Sequence, residues 1–389
     1  MSIVAPDGFI AGGLHCGIKD DGVLDLALVA TARPQAVPAA AVFTTNKMTA
    51  APVVVSRQHL AASGGRAGAV IVNSGNANAA TGSQGRADAE RMCALAADEL
   101  GYQSTEVLVC STGIIGVPLP MEAIEAGVPK LVAVLAGDGP AAASAAEAIR
   151  TTDGHRKETV VGWHGFTVGG MAKGSGMVAP RLATMLALLT TDAKAEPEGL
   201  RRALGSAVSE TFNALLIDGA TSTNDTVIVL ASGAADVAPE TELAEGLTAA
   251  CADLAHQLAD DAEGATKVVR VRVTGAVSDD EARRAARKVA GSVLVKCSWY
   301  GEDPYWGRIA SELGSAGVRF DGDRVSLAYG GVVVARDGAA ASHDEHAVRE
   351  HFAGRHLEID ADLGLGDGQS SVLTNDLTHA YIDENMGTS

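Results

Sequence analysis

One segment constrains this chain more than any other: Lys173-Gly174-Ser175-Gly176-Met177-Val178-Ala179-Pro180-Arg181-Leu182-Ala183-Thr184-Met185-Leu186. It sets a lone threonine after a small residue, between a glycine-rich loop and an apolar run, where a chain could cut itself. A threonine hydroxyl is a weak nucleophile that needs an adjacent base, and the α-amino group of the same residue is one solution. That amine exists only once the Ala183–Thr184 bond is broken. Its unperturbed pKa of roughly 7.7–8.0 suits a general base at neutral pH.

Apolar periodicity around this segment describes a mixed α/β chain. Strands are expected near residues 24–29, 41–44, 53–55, 69–72 and 107–110, each close to Gly, Pro, Asn or Ser punctuation. A helix is expected over 88–100, with Ala89, Met92, Ala96 and Leu100 on one face and Gly101 as its stop. Pro197 opens a second helix carrying Leu200, Ala203, Leu204, Ala207, Val208 and Phe212. A third spans 240–260 with Leu243, Leu247, Cys251, Leu254 and Leu258 in one stripe. Residues 269–273 alternate as a half-buried strand, and further strands are expected at 292–296, 325–327, 332–335 and 356–359. No repeat or flexible linker breaks the 389 residues, so the natural boundary is the chemical one at Ala183/Thr184.

The net charge of −18 opposes nucleic-acid binding and gives an anionic substrate no long-range attraction, so a carboxylate would have to be read by local groups. The five cysteines are scattered and form no Cys-x-x-Cys pair, which argues against a disulfide framework or zinc site and favours packing roles in a reducing cytosol over a single reactive cysteine. The first residues carry no secretory signal pattern, and no apolar run approaches the ~20 residues of a membrane span.

Several ordered motifs then coincide: Ser111-Thr112-Gly113-Ile114-Ile115-Gly116, Thr151-Thr152-Asp153, Gly169-Gly170-Met171-Ala172-Lys173, the Ala183-Thr184-Met185-Leu186 site, Ser222-Thr223-Asn224-Asp225-Thr226, Asp261-Ala262-Glu263-Gly264, Trp306-Gly307-Arg308 and Ala380-Tyr381-Ile382-Asp383-Glu384-Asn385. With these the whole chain resembles the ArgJ family of ornithine acetyltransferases, bifunctional glutamate N-acetyltransferases of arginine biosynthesis. The resemblance implies a two-domain αββα sandwich of α/β (α+β) class, similar in shape to N-terminal-nucleophile hydrolases. It also implies self-cleavage into an α chain, 1–183, and a β chain, 184–389, assembled as a heterotetramer of two of each in the cytoplasm.

The resemblance further implies that Thr184 attacks the Ala183 carbonyl, becomes a new N-terminus, takes acetyl from N2-acetylornithine and passes it to glutamate. Thr112 and Gly113 match the oxyanion positions. Thr151, Lys173, Thr184, Glu263, Asn385 and Ser389 match substrate contacts, with Lys173 toward a carboxylate and Glu263 toward an amino group. No cofactor or metal is implied, and acetyl-CoA is left open as a further acetyl donor. The chain departs from the family pattern in a tail one residue short, which bears on Ser389, and at Tyr305, where asparagine is common.

Three other readings compete. An N-terminal-nucleophile amidase or aminopeptidase would use the same nucleophile with water as acceptor. A nucleotide-binding protein is suggested by Gly174-Ser175-Gly176-Met177-Val178-Ala179 with Asp192, but Pro180 falls where that fingerprint needs a helix. A metal site is suggested by His343, His346 and His351; His346 and His351 sit roughly 140° apart around a helix, which favours a solvated helix.

Overall fold

The computed structural model describes residues 2–178 and 185–387, and these fall into two compact units. The first takes the chain up to Asn213 together with Ala220–Leu258; the second is Ala214–Gly219 with Ala259–Gly387. The Ala183/Thr184 boundary lies outside the described residues.

The first unit holds two sheets. One runs Phe9–Leu14, Leu26–Thr31, Ala69–Asn76, Val107–Ile114. The other runs Arg66–Ala67, Val37–Phe43, Thr226–Ala231, Leu186–Thr191, Phe166–Lys173, Lys157–Trp163. Period-two alternation sends Ala27, Val29, Val70, Val72, Leu108 and Cys110 into a core shared with Met171, Leu186, Leu188, Ile228 and Leu230 of the second sheet. The alternate residues Leu26, Leu28, Ile71, Val107 and Val109 pack on Met92 and Ala96 of helix Gly82–Leu100 and on Ile124, Val128 and Leu131 of helix Met121–Ala133. Burial on both faces explains why these strands read as continuous apolar runs.

Helices also cover the outer face of the second sheet. A Cβ at Gly170 would lie 3.2 Å from Leu254 of helix Glu240–Asp260, and one at Gly246 of that helix 2.9 Å from the Phe166 ring. Helix Pro197–Glu210 packs on strand Val37–Phe43. The order helix, sheet, sheet, helix is the expected αββα sandwich.

The second unit is a seven-stranded sheet ordered Leu215–Leu216, Gly368–Asn375, Val268–Ala276, His356–Asp362, Ser326–Tyr329, Val332–Arg336, Ala339–Ala340. Val269, Val271 and Val273 pack on Ala282, Ala285, Ala286 and Val289 of helix Asp279–Ala290. Between them, Arg270 pairs with Glu358 at 3.2 Å on the solvated face.

The helices 197–210 and 240–260 and the strand at 269–273 form as expected, and Gly101 caps helix Gly82–Leu100 with φ 79°. Two expected strands are helices instead. Val53, Val54 and Val55 lie in helix Ala51–Ala62, which Pro52 starts; burial of Val53 and Val55 outweighs the strand preference of a β-branched run. Residues 292–296 open helix Val293–Tyr300, where the Ser292 hydroxyl accepts the Val295 N–H at 3.3 Å as an N-cap. The five cysteines are free and three are buried, but Cys297 is exposed, contrary to a packing role. His346 and His351 lie on helix Glu345–Ala353, and no cluster of metal-binding side chains occurs among the described residues. Among them, too, no helix is long and apolar enough to cross a membrane.

Candidate functional site

Strand Val107–Ile114 does not stop at Cys110 as expected but carries Ser111, Thr112 and Gly113 as its last turns of pleat, paired in parallel with Ser74 and Gly75. Gly113 has φ +129°, and a Cβ there would sit 2.3 Å from the Gly75 carbonyl carbon, so only glycine fits this backbone contact. Thr112 is 2% exposed, and its hydroxyl is engaged by no described residue.

Opposite this strand end, Lys173 closes strand Phe166–Lys173. It is not a solvated charge: its Nζ is buried and donates to Thr151 Oγ1 at 2.6 Å, uniting two residues 22 apart in sequence. Asp153 holds this corner together. Its Oδ1 accepts Lys157 Nζ at 2.7 Å and the Gly174 N–H at 2.6 Å, while Oδ2 accepts the Thr151 N–H at 3.0 Å and lies 3.7 Å from Lys173 Nζ. Burial alone would push the Asp153 carboxyl up, but the charges of Lys173 and Lys157 with the Gly174 N–H outweigh it and hold the group well below the usual carboxylate range.

Gly113, Thr151 and Thr152 line one cleft of about 530 Å³ together with Lys19 and Gly75. The Lys19 loop is wrapped around the Asp25 carboxylate, which accepts the N–H groups of Cys16, Gly17, Ile18 and Lys19 at 2.7–3.1 Å. Lys19 Nζ donates to the carbonyls of Leu24 at 3.1 Å and Arg150 at 2.6 Å. Burial, aided by the charge of Lys173, lowers its pKa to about 8 against the opposing pull of Asp25, Asp153 and Glu147.

Ala183 and Thr184 lie outside the described residues, but the residue after Thr184 is fixed. The Met185 N–H donates to Asp225 Oδ1 at 2.9 Å, and its carbonyl accepts the Thr226 N–H at 3.2 Å as strand Leu186–Thr191 begins. The candidate dinucleotide loop shows no helix over 174–178, and Asp192 spends its Oδ1 on the Thr167 N–H at 2.7 Å.

In the second unit the structure joins two further candidates: Asn385 Nδ2 donates to Glu263 Oε2 at 2.9 Å. Gly264, at φ +62°, lets helix His379–Glu384 approach, since a Cβ there would meet the Tyr381 nitrogen at 2.2 Å. Ser389 lies outside the described residues. Tyr305 is exposed. Lys19, Asp25 and the linking role of Asp153 had no visible sequence signal beyond the Thr151-Thr152-Asp153 motif, because their partners come from distant loops.

The ArgJ family model matches residues 10–387. The arginine biosynthesis bifunctional protein ArgJ of Mycobacterium tuberculosis is 47% identical over 397 aligned positions, covering 100% of this chain and 96% of that protein. The protein of the same name from Streptomyces coelicolor is 46% identical over 390 positions, covering 100% of both. Among solved structures, an arginine biosynthesis bifunctional protein ArgJ from Bacillus halodurans is similar over 50% of this chain and 95% of its own, with a TM-score of 0.48 and 36% identity. An ornithine acetyltransferase from M. tuberculosis complexed with ornithine matches 46% of this chain and 94% of its own, with a TM-score of 0.43 and 44% identity. With relatives this similar over the full length and a family match spanning nearly every residue, the chain belongs to the ArgJ family.

Proposed function

We propose that this ArgJ enzyme of arginine biosynthesis is self-processing and moves an acetyl group from N2-acetylornithine to glutamate through an acetyl-Thr184 ester. In processing, the Thr184 hydroxyl attacks the Ala183 carbonyl, the amide becomes an ester as the C–N bond breaks and frees the Thr184 amine, and water then cleaves the ester to the Ala183 carboxylate and the Thr184 hydroxyl. In transfer, that amine takes the hydroxyl proton as Oγ attacks the acetyl carbonyl, and passes it to the departing ornithine nitrogen. Glutamate's amine then attacks the ester and restores the hydroxyl.

Each addition places negative charge on the acyl oxygen, for which the free Thr112 hydroxyl and the Gly113 N–H are the proposed donors. Lys173 and Thr151 are the proposed readers of the carboxylate common to both substrates; Glu263, steadied by Asn385, is the proposed reader of the amino group, and Ser389 a further contact. The observation that carries this reading is the buried Lys173–Thr151 hydrogen bond, which brings two sequence-separated candidates together beside the cleft lined by Gly113. The scheme needs no cofactor or metal and admits acetyl-CoA as a second donor. The proposal includes a cytoplasmic heterotetramer of two α and two β chains, with neither nucleic acid nor membrane as partner.

The mass of the denatured protein tests it. Fragments 1–183 and 184–389 are expected, with Thr184→Ala abolishing both cleavage and transfer. A fully active uncut chain would overturn the proposal. Acetyl passing to water as fast as to glutamate would favour the amidase reading.

A further inference from the structure

We propose that the adjacent pair Asn224 and Asp225 is the positioning element that sets the distance between nucleophile and oxyanion donor, Asn224 by gripping the residue before Thr112 and Asp225 by gripping the residue after Thr184. The inference rests on the reading of Thr184 and Thr112 given above and adds two residues to it.

The two side chains point to different sheets of the sandwich. Asn224 Nδ2 donates to the Ser111 carbonyl at 2.9 Å and to the Ala77 carbonyl at 2.6 Å, and its Oδ1 accepts the Thr223 hydroxyl at 2.6 Å. All of its amide groups are engaged, at 4% exposure, so the orientation is fixed. Asp225 Oδ1 accepts the Met185 N–H at 2.9 Å. The backbone of the pair is tied as well: the Thr44 N–H donates to the Asp225 carbonyl at 2.9 Å, and the Asn224 N–H to the Ser222 hydroxyl at 3.0 Å. Ser111 precedes Thr112 and Met185 follows Thr184 by one peptide bond each, so two neighbouring residues hold both arms of the proposed chemistry through one rigid link.

Asp225 holds Met185 through one oxygen alone. It is 0% exposed and its Oδ2 completes no hydrogen bond. Burial drives the carboxyl well above its ordinary range, and the Met185 N–H, the nearby Ser222 hydroxyl and the Lys173 charge offset only part of that. A side chain that accepts through one oxygen can be replaced by an amide that accepts through the same oxygen.

The test compares four variants with wild type that has first been shown to cleave at 183/184 and to transfer acetyl to glutamate; failure of that control would fault the proposed function and not this inference. Asp225→Ala and Asn224→Asp should each lower the rate of cleavage or kcat for transfer about 10- to 100-fold, the scale of a misplaced reacting group, with KM within about threefold of wild type. Asp225→Asn should restore rates to within about threefold, although it removes the carboxyl group. Asn224→Ala, which removes the grip without adding charge, should fall with Asn224→Asp. Wild-type rates in Asp225→Ala and Asn224→Asp would overturn the proposal, as would an Asp225→Asn as slow as Asp225→Ala. So would losses that track a fall in Tm and vanish when assayed well below it, since a purely structural role predicts that pattern.

Discussion

Asp153 and Asp225 are both sealed inside the first unit, at 3% and 0% exposure, yet their carboxyls shift in opposite directions. Asp153 meets two ammonium groups and two backbone N–H donors and stays ionised. Asp225 accepts the Met185 N–H through Oδ1, and burial outweighs that bond, the Ser222 hydroxyl and the Lys173 charge to raise its carboxyl well above the ordinary range. The cost of burying a charge is the same for both, so the difference is made by partners. The candidate site thus has a half where Lys173, Lys157, Asp153 and Thr151 interlock through ion pairs, and a half where Asn224 and Asp225 hold the backbone of Ser111 and Met185 by hydrogen bonds.

The largest effect should come from removing the charge of Asp153, with the same substitution at Asp225 as the comparison. Asp153→Asn leaves Lys157 and Lys173 buried without their anion and should cost about 3–5 kcal/mol of stability. Asp225→Asn keeps the oxygen that accepts the Met185 N–H and should stay within about 1 kcal/mol. Urea unfolding at pH 7 measures both, and equal losses would erase the distinction. The pH dependence carries opposite signs. The folded-state pKa of Asp153 is depressed, so its contribution is present above the unfolded value of about 3.9 and is lost as pH falls from there toward the depressed native value. For Asp225 the folded pKa is raised, so stability declines as pH climbs from about 3.9 toward the raised value, because only the unfolded state gives up its proton there.

Next to Ser111, Thr112→Ala should lower kcat by about 10- to 1,000-fold with a smaller change in KM, since its hydroxyl is expected to bond only as charge develops. An unchanged kcat would remove Thr112 from the mechanism. On the ion-paired half, Lys173→Met should raise KM for acetylornithine and glutamate by a similar factor, on the order of tenfold for a lost hydrogen bond to a charged group. Initial rates on protein confirmed to be cleaved measure this. An effect confined to glutamate would mean that Lys173 reads the side-chain carboxylate instead of the shared one.

The candidate site was legible in the sequence through the ordered motifs that carry the family resemblance, which single out Thr112, Gly113, Thr151, Lys173, Glu263 and Asn385; alone, Thr151 would pass for a turn and Glu263 for a surface acid. The structure unites Lys173 with Thr151 and Glu263 with Asn385. Lys19 was not legible. Nothing near position 19 announces a site, and it reaches the cleft only because Asp25 folds its loop around four N–H groups. Asn224 and Asp225 were visible as part of a motif but mute as to role, because their partners lie 113 and 40 residues away.

By itself the sequence determined the elements whose apolar spacing is regular over several turns or pleats. Helix Glu240–Asp260 with its leucine stripe and strand Val268–Ala276 with its alternating valines bury one face whatever their neighbours are. Only the tertiary structure decided the short or doubly buried segments: Val53, Val54 and Val55 became helix, and residues 292–296 became helix, because local preference of a few tenths of a kcal/mol per residue yields to packing and to a cap. The fold also sets the opposite pKa shifts of Asp153 and Asp225, since two identical side chains carry no information about the direction of their shift until the fold supplies the cations and N–H donors around them.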